Sequence, residues 1–206
     1  MSDQFSGPEV FRAQTGVSRE TLGLLVAYVD LLRCWQEKIN LVGASTLDNL
    51  WHRHMLDSAQ LLALLPAKAQ TLVDLGSGGG FPGMVLSIMG VPEVHLVESN
   101  QRKAAFLREA ARVSVGNVIV HATRIEALRP FSADVVTARA LAPLPRLVAY
   151  AAPFVATGGI CIFPRGRGVE KELTKVDEIW KMRLMRIPSR TDPYATILRI
   201  GAPRPA

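Results

Sequence analysis

An apolar run followed by a glycine-rich turn limits the possible folds of this chain more than any other feature. Residues 71–75 read TLVDL, which is typical of a buried strand, and residues 76–83 contain five glycines. A helix-like apolar segment follows at 82–89. A strand, a tight turn and a helix start in this order form the usual ligand cleft of an open α/β sheet. We therefore expect a nucleotide-like ligand at the turn.

The turn fits two classes of ligand. Residues 78–83 match the dinucleotide pattern G-x-G-x-x-G, and residues 74–80 match the acidic-x-G-x-G-x-G pattern of S-adenosylmethionine-dependent methyltransferases. Asp74 favours the second class, because a carboxylate within the strand can orient the turn and reach the amino-acid end of the cofactor. Pro82 favours it too, because proline lacks an N–H that a pyrophosphate would use.

Two further strand ends offer candidate cofactor contacts. Glu98 ends the next strand, 22 residues after Gly76, where a carboxylate can accept both ribose hydroxyl protons. The alternative is that Glu98 caps the helix that begins near Asn100. Ile125 and Glu126 follow the third strand, whose end borders the adenine in this kind of fold. Instead of contacting the cofactor, Ile125 can be a core residue and Glu126 can be a solvated charge at a helix start.

The pattern after residue 66 alternates between strands and helices. Five apolar runs predict buried strands, at 71–75, 94–98, 118–121, 133–137 and 159–163. Four other segments predict helices, at 82–89, 101–113, 143–155 and 169–181. This alternation is typical of an α/β fold with a parallel sheet and helices on both faces. Residues 195–200 predict a further strand, whose direction the pattern leaves open.

The N-terminal part has a different, all-helical pattern. Ser18 is a candidate N-cap, and the helix that follows it has one apolar face. A second helix is predicted over about 46–65. We expect residues 1–66 to form a helical extension packed on a main domain of residues 67–206, within a single structural unit.

Composition narrows the cellular setting. Cys34 and Cys161 lie in apolar segments without metal-ligand spacing, so we expect two buried thiols of a reducing compartment and a cytoplasmic protein. Residues 1–16 lack the apolar core of a signal peptide. A proline and a glycine pair interrupt the uncharged run 147–163, so we predict no membrane span. The net charge of +6 favours a polyanionic partner such as nucleic acid.

Short motifs follow one another in order along most of the chain. They are NLV at 40–42, RHMLDS at 53–58, DLGSGGGFPG at 74–83, ESNQRK at 98–103, FLR at 106–108, RA at 139–140 and RG at 165–166. Together they resemble the bacterial family of ribosomal RNA small subunit methyltransferase G, also called glucose-inhibited division protein B. The turn and the RHMLDS segment are specific in combination. Many members have Lys-Gly where this chain has Arg165-Gly166.

The resemblance implies a Rossmann-like class I methyltransferase fold, with a mostly parallel seven-stranded sheet and an N-terminal helical cap. It implies transfer of a methyl group from S-adenosyl-L-methionine to N7 of a guanine in 16S ribosomal RNA, so the RNA or the small subunit would be the partner. By position, it implies cofactor contacts for five residues: Gly76, Phe81, Ile125, Glu126 and Arg139. The pattern of the turn and the second strand adds Gly78 and Glu98.

Methylation at guanine N7 makes few chemical demands on a protein. The atom carries an in-plane lone pair and no proton, so its attack needs no general base, and we expect neither a catalytic side chain nor a metal. The protein has to hold the reacting atoms in line. Residues 135–140 lack the Asn/Asp-Pro-Pro-aromatic element that would bind an exocyclic amine. Arg139 is predicted to pair with the cofactor's carboxylate or an RNA phosphate, the alternative being a surface arginine.

The RHMLDS segment carries polar residues whose roles stay open. His54 can pack with a hydrogen bond to Asp57 or Ser58, or it can lie at the mouth of the cofactor or RNA site. Arg53 can pair with Asp57 at i, i+4. A metal site that includes His52 is disfavoured, because adjacent positions diverge around a helix.

Most of the excess positive charge lies near the C-terminus. From residue 165 onward there are ten Lys/Arg and five Asp/Glu. We predict that basic side chains here flank the cleft and hold RNA phosphates, namely Arg165, Arg167, Lys181, Arg183, Arg186 and Arg190. The alternative is a solvated helix face that includes Lys171 and Lys175.

Two other functions compete with the methyltransferase. A NAD-dependent oxidoreductase would use the same turn but needs a substrate domain, and the 100 residues after Phe106 leave little room for one. A non-enzymatic or differently specific RNA-binding protein on the same fold need not keep the glycines of the turn, Glu98 and Arg139. The pattern shows no long exposed apolar stripe, so we expect a monomer.

Overall fold

The computed structural model describes residues 7–114, 116–177, 179–201 and 203–205. The described chain opens with two helices, α1 (Pro8–Thr15) and α2 (Arg19–Gln36). Ser18 caps α2 as predicted, since its hydroxyl oxygen accepts a hydrogen bond from the N–H of Thr21 at 3.1 Å. Residues 1–6, which belong to the predicted helical extension and to the stretch without a signal peptide, lie outside the described residues.

The predicted second helix is not regular. Residues 44–64 form successive 3-10, π, α and 3-10 turns, at Ala44–Asn49, Trp51–Leu56, α3 (Asp57–Ala59) and Gln60–Leu64. Residues 54–56 and 58–61 are all buried, which a helix with one apolar face does not achieve. This segment therefore has neighbours on more than one side.

The centre of the fold is a seven-stranded sheet. The described strands are β1 (Thr71–Leu75), β2 (Glu93–Val97), β3 (Asn117–His121), β4 (Ala133–Thr137), β5 (Val155–Arg165), β6 (Trp180–Lys181), β7 (Leu184–Pro188), β8 (Thr196–Gly201) and β9 (Arg204–Pro205). The sheet has the order β3-β2-β1-β4-β5-β8-β7, and β6 pairs with β9 separately. Strand β8 is antiparallel to both neighbours. The mostly parallel, seven-stranded sheet is confirmed.

Helices cover both faces of the sheet, as predicted. They are α4 (Gly83–Ile88), α5 (Gln101–Ala110), α6 (Leu144–Ala151) and α7 (Val169–Asp177). Apolar side chains of α2, α4, α5 and residues 50–61 form one core cluster with the sheet, and α6 and α7 form another on the opposite face. Helix α7 ends before the predicted residue 181, because 180–181 belong to β6. The division at residues 66 and 67 stays a prediction.

The strand order determines where a ligand can bind. Strand β1 lies between β2 and β4, so the chain builds the sheet first to one side of β1 and then to the other. In such sheets the crevice lies at the carboxyl ends of the two strands where the order reverses. Here these are β1, which leads into the glycine turn, and β4, which leads to Arg139.

The structure tests the expected burial of the two cysteines, and its helices can be compared with the length that a membrane span requires. Cys161 is buried in β5, where burial raises the pKa of its thiol. Cys34 is exposed on α2, so the expectation that both thiols are buried is wrong for Cys34. Within the described ranges, no helix is both long enough and apolar enough to cross a membrane.

Candidate functional site

The glycine turn depends on backbone angles that L-residues rarely adopt. The φ angles of Gly76, Gly78 and Gly80 are +69°, +55° and +90°. A Cβ at Gly76 would lie 2.6 Å from the Leu141 side chain, and one at Gly80 would lie 2.6 Å from the Tyr28 hydroxyl. A Cβ at Gly78 would meet only a backbone oxygen, at 3.9 Å. Gly78 therefore faces open space, whereas the other two glycines face the protein.

Asp74 holds the two ends of the turn together. Its Oδ2 accepts the N–H of Gly83 at 3.1 Å, and its Oδ1 accepts the Thr137 hydroxyl at 3.1 Å. The carboxyl is fully buried, and burial raises its pKa to about 6 against the opposing effect of these hydrogen bonds. The prediction that Asp74 orients the turn is confirmed. The expected contact with the cofactor's amino-acid end is wrong, because the side chain has no exposed surface.

Glu98 joins the end of β2 to the turn. Its Oε2 accepts the N–H of Gly78 at 2.9 Å, and its Oε1 accepts the N–H of Asn100 at 2.7 Å. The cap of α5 is Asn100, whose side chain accepts the N–H groups of residues 102 and 103. The alternative that Glu98 is the helix cap is therefore wrong. Each carboxylate oxygen keeps a lone pair that can accept a hydroxyl proton.

The residues after β3 lie in a short 3-10 turn, Ile125–Ala127. Ile125 is half-buried against the apolar cluster that contains α6. The Glu126 carboxylate accepts the Tyr150 hydroxyl at 2.6 Å and lies 3.6 Å from Arg146, and the hydrogen bond from Tyr150 lowers its pKa. Because this side chain is directed at α6, a cofactor contact by Glu126 stays a prediction that concerns its backbone.

Phe81 supports the turn from inside the protein. Its ring is 4% exposed and lies 5.7 Å from the Tyr28 ring and 4.9 Å from the His54 ring, between centroids. The Tyr28 hydroxyl donates a hydrogen bond to the carbonyl of Gly79. Sequence reasoning missed Tyr28. Its signal was a tyrosine within the apolar stripe of α2, since a buried phenol needs a polar partner.

Arg139 leaves the end of β4 and meets the segment 44–64. One nitrogen donates to Nδ1 of His54 at 2.6 Å, and another donates to Oδ2 of Asp57 and to the Arg53 carbonyl, both at 3.2 Å. The guanidinium also lies 5.2 Å from the centroid of the Phe81 ring. The side chain is only 20% exposed, so the alternative of a surface arginine is wrong. Its contact with cofactor or phosphate stays a prediction.

The partners of His54 fix its tautomer. A guanidinium can only donate, so Nδ1 accepts from Arg139 and the proton lies on Nε2, which donates to Thr46 Oγ1 at 2.8 Å. Burial, together with the charges of Arg139 and Arg53, lowers the pKa of His54 to about 3. His54 is therefore neutral at physiological pH. Of its expected partners, only Ser58 bonds to it, through the His54 carbonyl.

Asp57 connects this segment to the loop between β7 and β8. Its Oδ1 accepts the Thr191 hydroxyl at 2.7 Å and the Gln60 amide at 2.9 Å. The expected pair between Arg53 and Asp57 is wrong, because Arg53 lies instead 3.7 Å from Asp192. Asp57 thus serves both Arg139 and the β7–β8 loop.

A cavity of about 430 Å³ lies between these parts. Its walls are the segment 44–64, the ends of β4 and β5, and the β7–β8 loop. The polar side chains that line it include Thr46, Arg53, His54, Asp57, Arg139, Arg165, Ser189, Thr191 and Asp192. Its volume falls within the range of small-molecule sites.

The predicted RNA-binding arginines do not form one surface. Arg165 lines the cavity but is held internally, with hydrogen bonds to both oxygens of Glu172 at 2.7 and 2.9 Å and to the Ala142 carbonyl at 2.9 Å. The Arg167 guanidinium lies 3.6 Å from the centroid of the Tyr194 ring. RNA contacts of Arg165 and Arg167 stay predictions.

Arg186 and Arg183 do not line the cavity. Arg186, within β7, pairs with Glu170 at 2.7 Å. Arg183 precedes β7, and its carbonyl accepts the N–H of Gly201 at the end of β8. Because β8 is antiparallel to β5, Gly201 lies at the end of the sheet opposite the crevice. The expectation that Arg183 flanks the cleft is therefore wrong.

Comparison with known proteins identifies close relatives. A family model described as rRNA small subunit methyltransferase G matches residues 21–191. The ribosomal RNA small subunit methyltransferase G of Rhodospirillum rubrum is 56% identical over 194 residues, which cover 94% of this chain and 96% of the relative. That of Rhodospirillum centenum is 58% identical over 196 residues, covering 94% and 91%.

Solved structures share the fold at low sequence identity. The magnesium protoporphyrin IX methyltransferase of Synechocystis, solved with bound SAM, has a TM-score of 0.59 at 15% identity, covering 90% of this chain and 98% of that one. A TehB-like SAM-dependent methyltransferase of Corynebacterium glutamicum has a TM-score of 0.55 at 13% identity, covering 72% and 88%. These similarities confirm the predicted class I methyltransferase fold.

Proposed function

The chain belongs to the rRNA small subunit methyltransferase G family, and we propose that it transfers the methyl group of S-adenosyl-L-methionine to N7 of a guanine in 16S ribosomal RNA. One observation carries the proposal beyond family membership. The glycine turn that would hold the donor adjoins a polar cavity of about 430 Å³, and Arg139 contacts both, through the Phe81 ring and through the cavity wall.

The residues around the turn fit the proposed donor. Gly78 leaves open space beside the crevice, and Glu98 can accept the hydroxyl protons of a ribose. Ile125 supplies a half-buried apolar side chain at the end of β3, where an adenine ring can pack. We assign backbone contacts to Gly76 and Gly78, the ribose to Glu98 and the adenine to Ile125. Bound S-adenosyl-L-methionine supplies an electrophilic methyl group on a sulfonium.

The side chains at the cavity fit a reaction that needs no proton transfer. Both ring nitrogens of His54 are hydrogen-bonded within the protein, and both carboxylate oxygens of Asp57 accept hydrogen bonds. The guanidinium of Arg139 only donates hydrogen bonds, to His54, Asp57 and the Arg53 carbonyl. These groups can therefore shape the cavity and hold a base in line, which is the main requirement for attack by guanine N7.

We assign the protein to the cytoplasm as a monomer that acts on 16S ribosomal RNA or on the small subunit. We also assign residues 67–206 to the methyltransferase domain, with the preceding helical extension forming one wall of its cavity, as the cavity contacts of Thr46, His54 and Asp57 indicate.

Methyl transfer to defined RNA substrates tests the function. Purified protein is incubated with a labelled donor and naked 16S ribosomal RNA, small subunits or ribosomes, and the digested RNA is analysed for 7-methylguanosine. A transcript made with 7-deazaguanosine is the matched control, since it keeps the base shape but lacks the nucleophilic atom. Label on the deaza transcript, or on any other atom, contradicts N7 specificity. Titration calorimetry with S-adenosylhomocysteine and with NAD separates the methyltransferase from the oxidoreductase.

A further inference from the structure

A basic groove lies at the end of the sheet opposite the crevice. It has a volume of about 820 Å³ and includes the start of the buried part of β5 and the end of β8. Four basic side chains line it: Lys181, Arg183, Arg199 and Arg204. No Asp or Glu lines it within the described part of the chain.

The groove is separate from the proposed active site. Ile160 of β5 lines the groove, and Arg165 of the same strand lines the cavity. Five residues of extended strand span about 17 Å, at about 3.3 Å per residue. A nucleotide-sized ligand therefore cannot reach both places, whereas an extended polyanion can.

The positive charge of the groove is not neutralised by neighbouring carboxylates. Lys181, Arg183 and Arg204 are exposed and form no ion pair within the described residues. Arg199 is fixed at the groove by a hydrogen bond from its Nε to the Leu64 carbonyl at 3.2 Å. Asp134, whose carbonyl lies beside Gly159, accepts the backbone N–H groups of residues 70 and 71 at its Oδ2, at 2.8 and 3.1 Å, and forms no ion pair with a groove cation among the described residues.

Two of the arginines that sequence reasoning placed at the cleft are paired with carboxylates. Arg165 pairs with Glu172, and Arg186 pairs with Glu170. The groove therefore brings together four basic side chains with no carboxylate among its described lining residues, although sequence reasoning placed the RNA-binding charge at the cleft. An RNA backbone is the ligand that matches a wide, open groove of unpaired Lys and Arg side chains.

We propose that this groove binds the phosphate backbone of the substrate RNA, as a second contact about 17 Å from the cavity. The proposal rests on the proposed function, because it takes the same RNA as ligand. It implies that a good substrate extends well beyond the target guanine. A short oligonucleotide that fills only the cavity lacks this contact and is a poor substrate.

The test compares two double variants that remove the same charge. Arg183→Ala/Arg204→Ala removes two cations of the groove, and Lys171→Ala/Lys175→Ala removes two exposed cations of α7. At low salt we expect the groove variant to bind naked 16S ribosomal RNA about tenfold more weakly, with a salt slope lower by about two, and the α7 variant to bind nearly as the wild type does. We expect Arg183→Lys/Arg204→Lys to retain affinity.

Further measurements distinguish a loss of RNA binding from misfolding and from damage to the cofactor site. Thermal melting and S-adenosylhomocysteine binding are expected to be unchanged in both variants, and KM for RNA is expected to rise without a fall in kcat. Equal RNA affinities of the groove and α7 variants would overturn the proposal. So would unchanged binding of naked RNA combined with weaker methylation of small subunits, which would assign the groove to a ribosomal protein. Failure of the wild type to methylate any RNA would refute the proposed function instead, since the groove test measures binding.

Discussion

Replacing Arg139 with alanine tests the network that connects the sheet to the helical extension. The change removes hydrogen bonds to His54 and Asp57 and to the Arg53 carbonyl, and it removes the cation beside the Phe81 ring. It leaves the Asp57 carboxylate with its contacts to Thr191 and Gln60. The carboxylate thus loses its counter-charge but not all its donors.

The magnitude follows from the number and burial of these contacts. A hydrogen bond that involves a charged group contributes about 1.5 to 3 kcal/mol when its partner is left buried. The side chains of Arg139 and Asp57 are 20% and 17% exposed, so solvent replaces the lost contacts only in part. We expect the free energy of unfolding to fall by about 3 kcal/mol, which a domain with about 5 to 15 kcal/mol of stability tolerates.

A double-mutant cycle isolates the pair. Urea unfolding of the wild type, Arg139→Ala, Asp57→Ala and the double variant is expected to give a coupling energy of about 1 to 2 kcal/mol. Methyl transfer by Arg139→Ala is expected to fall at least about tenfold, the equivalent of about 1.4 kcal/mol, because the cavity wall and Phe81 lose their position. Arg139→Lys is the matched control. It keeps the charge, but a single ammonium cannot reproduce the planar contact with both His54 and Asp57.

The His54 ring provides an independent check. Removing Arg139 removes one of the charges that lower the pKa of His54, while burial remains, so the pKa is expected to rise from about 3 but to stay below its ordinary value. NMR titration of the imidazole measures this change. Near-normal activity of folded Arg139→Ala, or a coupling energy near zero, would refute the reasoning.

Three other predictions concern the turn. Glu98→Gln is expected to weaken S-adenosylhomocysteine binding about tenfold in calorimetry with little change in melting temperature, and unchanged affinity would contradict the ribose assignment. Gly78→Ala is expected to cost about 1 kcal/mol of stability and to weaken cofactor binding, whereas Gly16→Ala, at a similar positive φ, is expected to cost only stability. The pKa of Asp74 is raised to about 6 in the folded protein, so the folded state binds its proton more tightly than the unfolded state does. The resulting stabilisation is fully present below about pH 4 and is lost as the pH rises through 6. The free energy of unfolding is expected to fall by about 3 kcal/mol over this range. Urea unfolding of Asp74→Asn lacks this dependence if the assignment is correct.

The features that sequence reasoning predicted correctly are those set by neighbours in the chain. The strand, the turn and the helix after it lie within residues 71–89, and Asp74 meets Gly83 only nine residues away. Hydrophobic periodicity and turn chemistry report directly on such contacts. The mostly parallel sheet with helices on both faces could be predicted because strands and helices alternate along the chain.

Sequence reasoning missed two kinds of feature. The first depends on contacts between residues far apart in the chain, and the second depends on which face of a helix or strand a residue occupies. Arg139 meets His54 across 85 positions, and no local pattern records that pair. Cys34 illustrates the second case, since its segment is apolar but its position lies off the buried face that includes Leu25, Val29 and Leu32. Strand β7, at the sheet edge, exposes Met185, Arg186 and Pro188 and so lacks the buried apolar run of a central strand.

The perturbed pKa values of Asp74 and His54 have a structural origin. Groups with strongly shifted pKa values often transfer protons in active sites. Here the Asp74 carboxyl is fully buried and hydrogen-bonded to Gly83 at the end of the turn and to Thr137 in β4, and both ring nitrogens of His54 are hydrogen-bonded within the protein. Neither group can reach a substrate proton. The pKa shifts of Asp74 and His54 therefore reflect their burial in the protein, where Asp74 fixes the conformation of a glycine turn that would otherwise be flexible. Attack by guanine N7 needs the reacting atoms to be held in line and needs no general base. Buried polar groups that fix the turn and the cavity wall meet that need without transferring a proton.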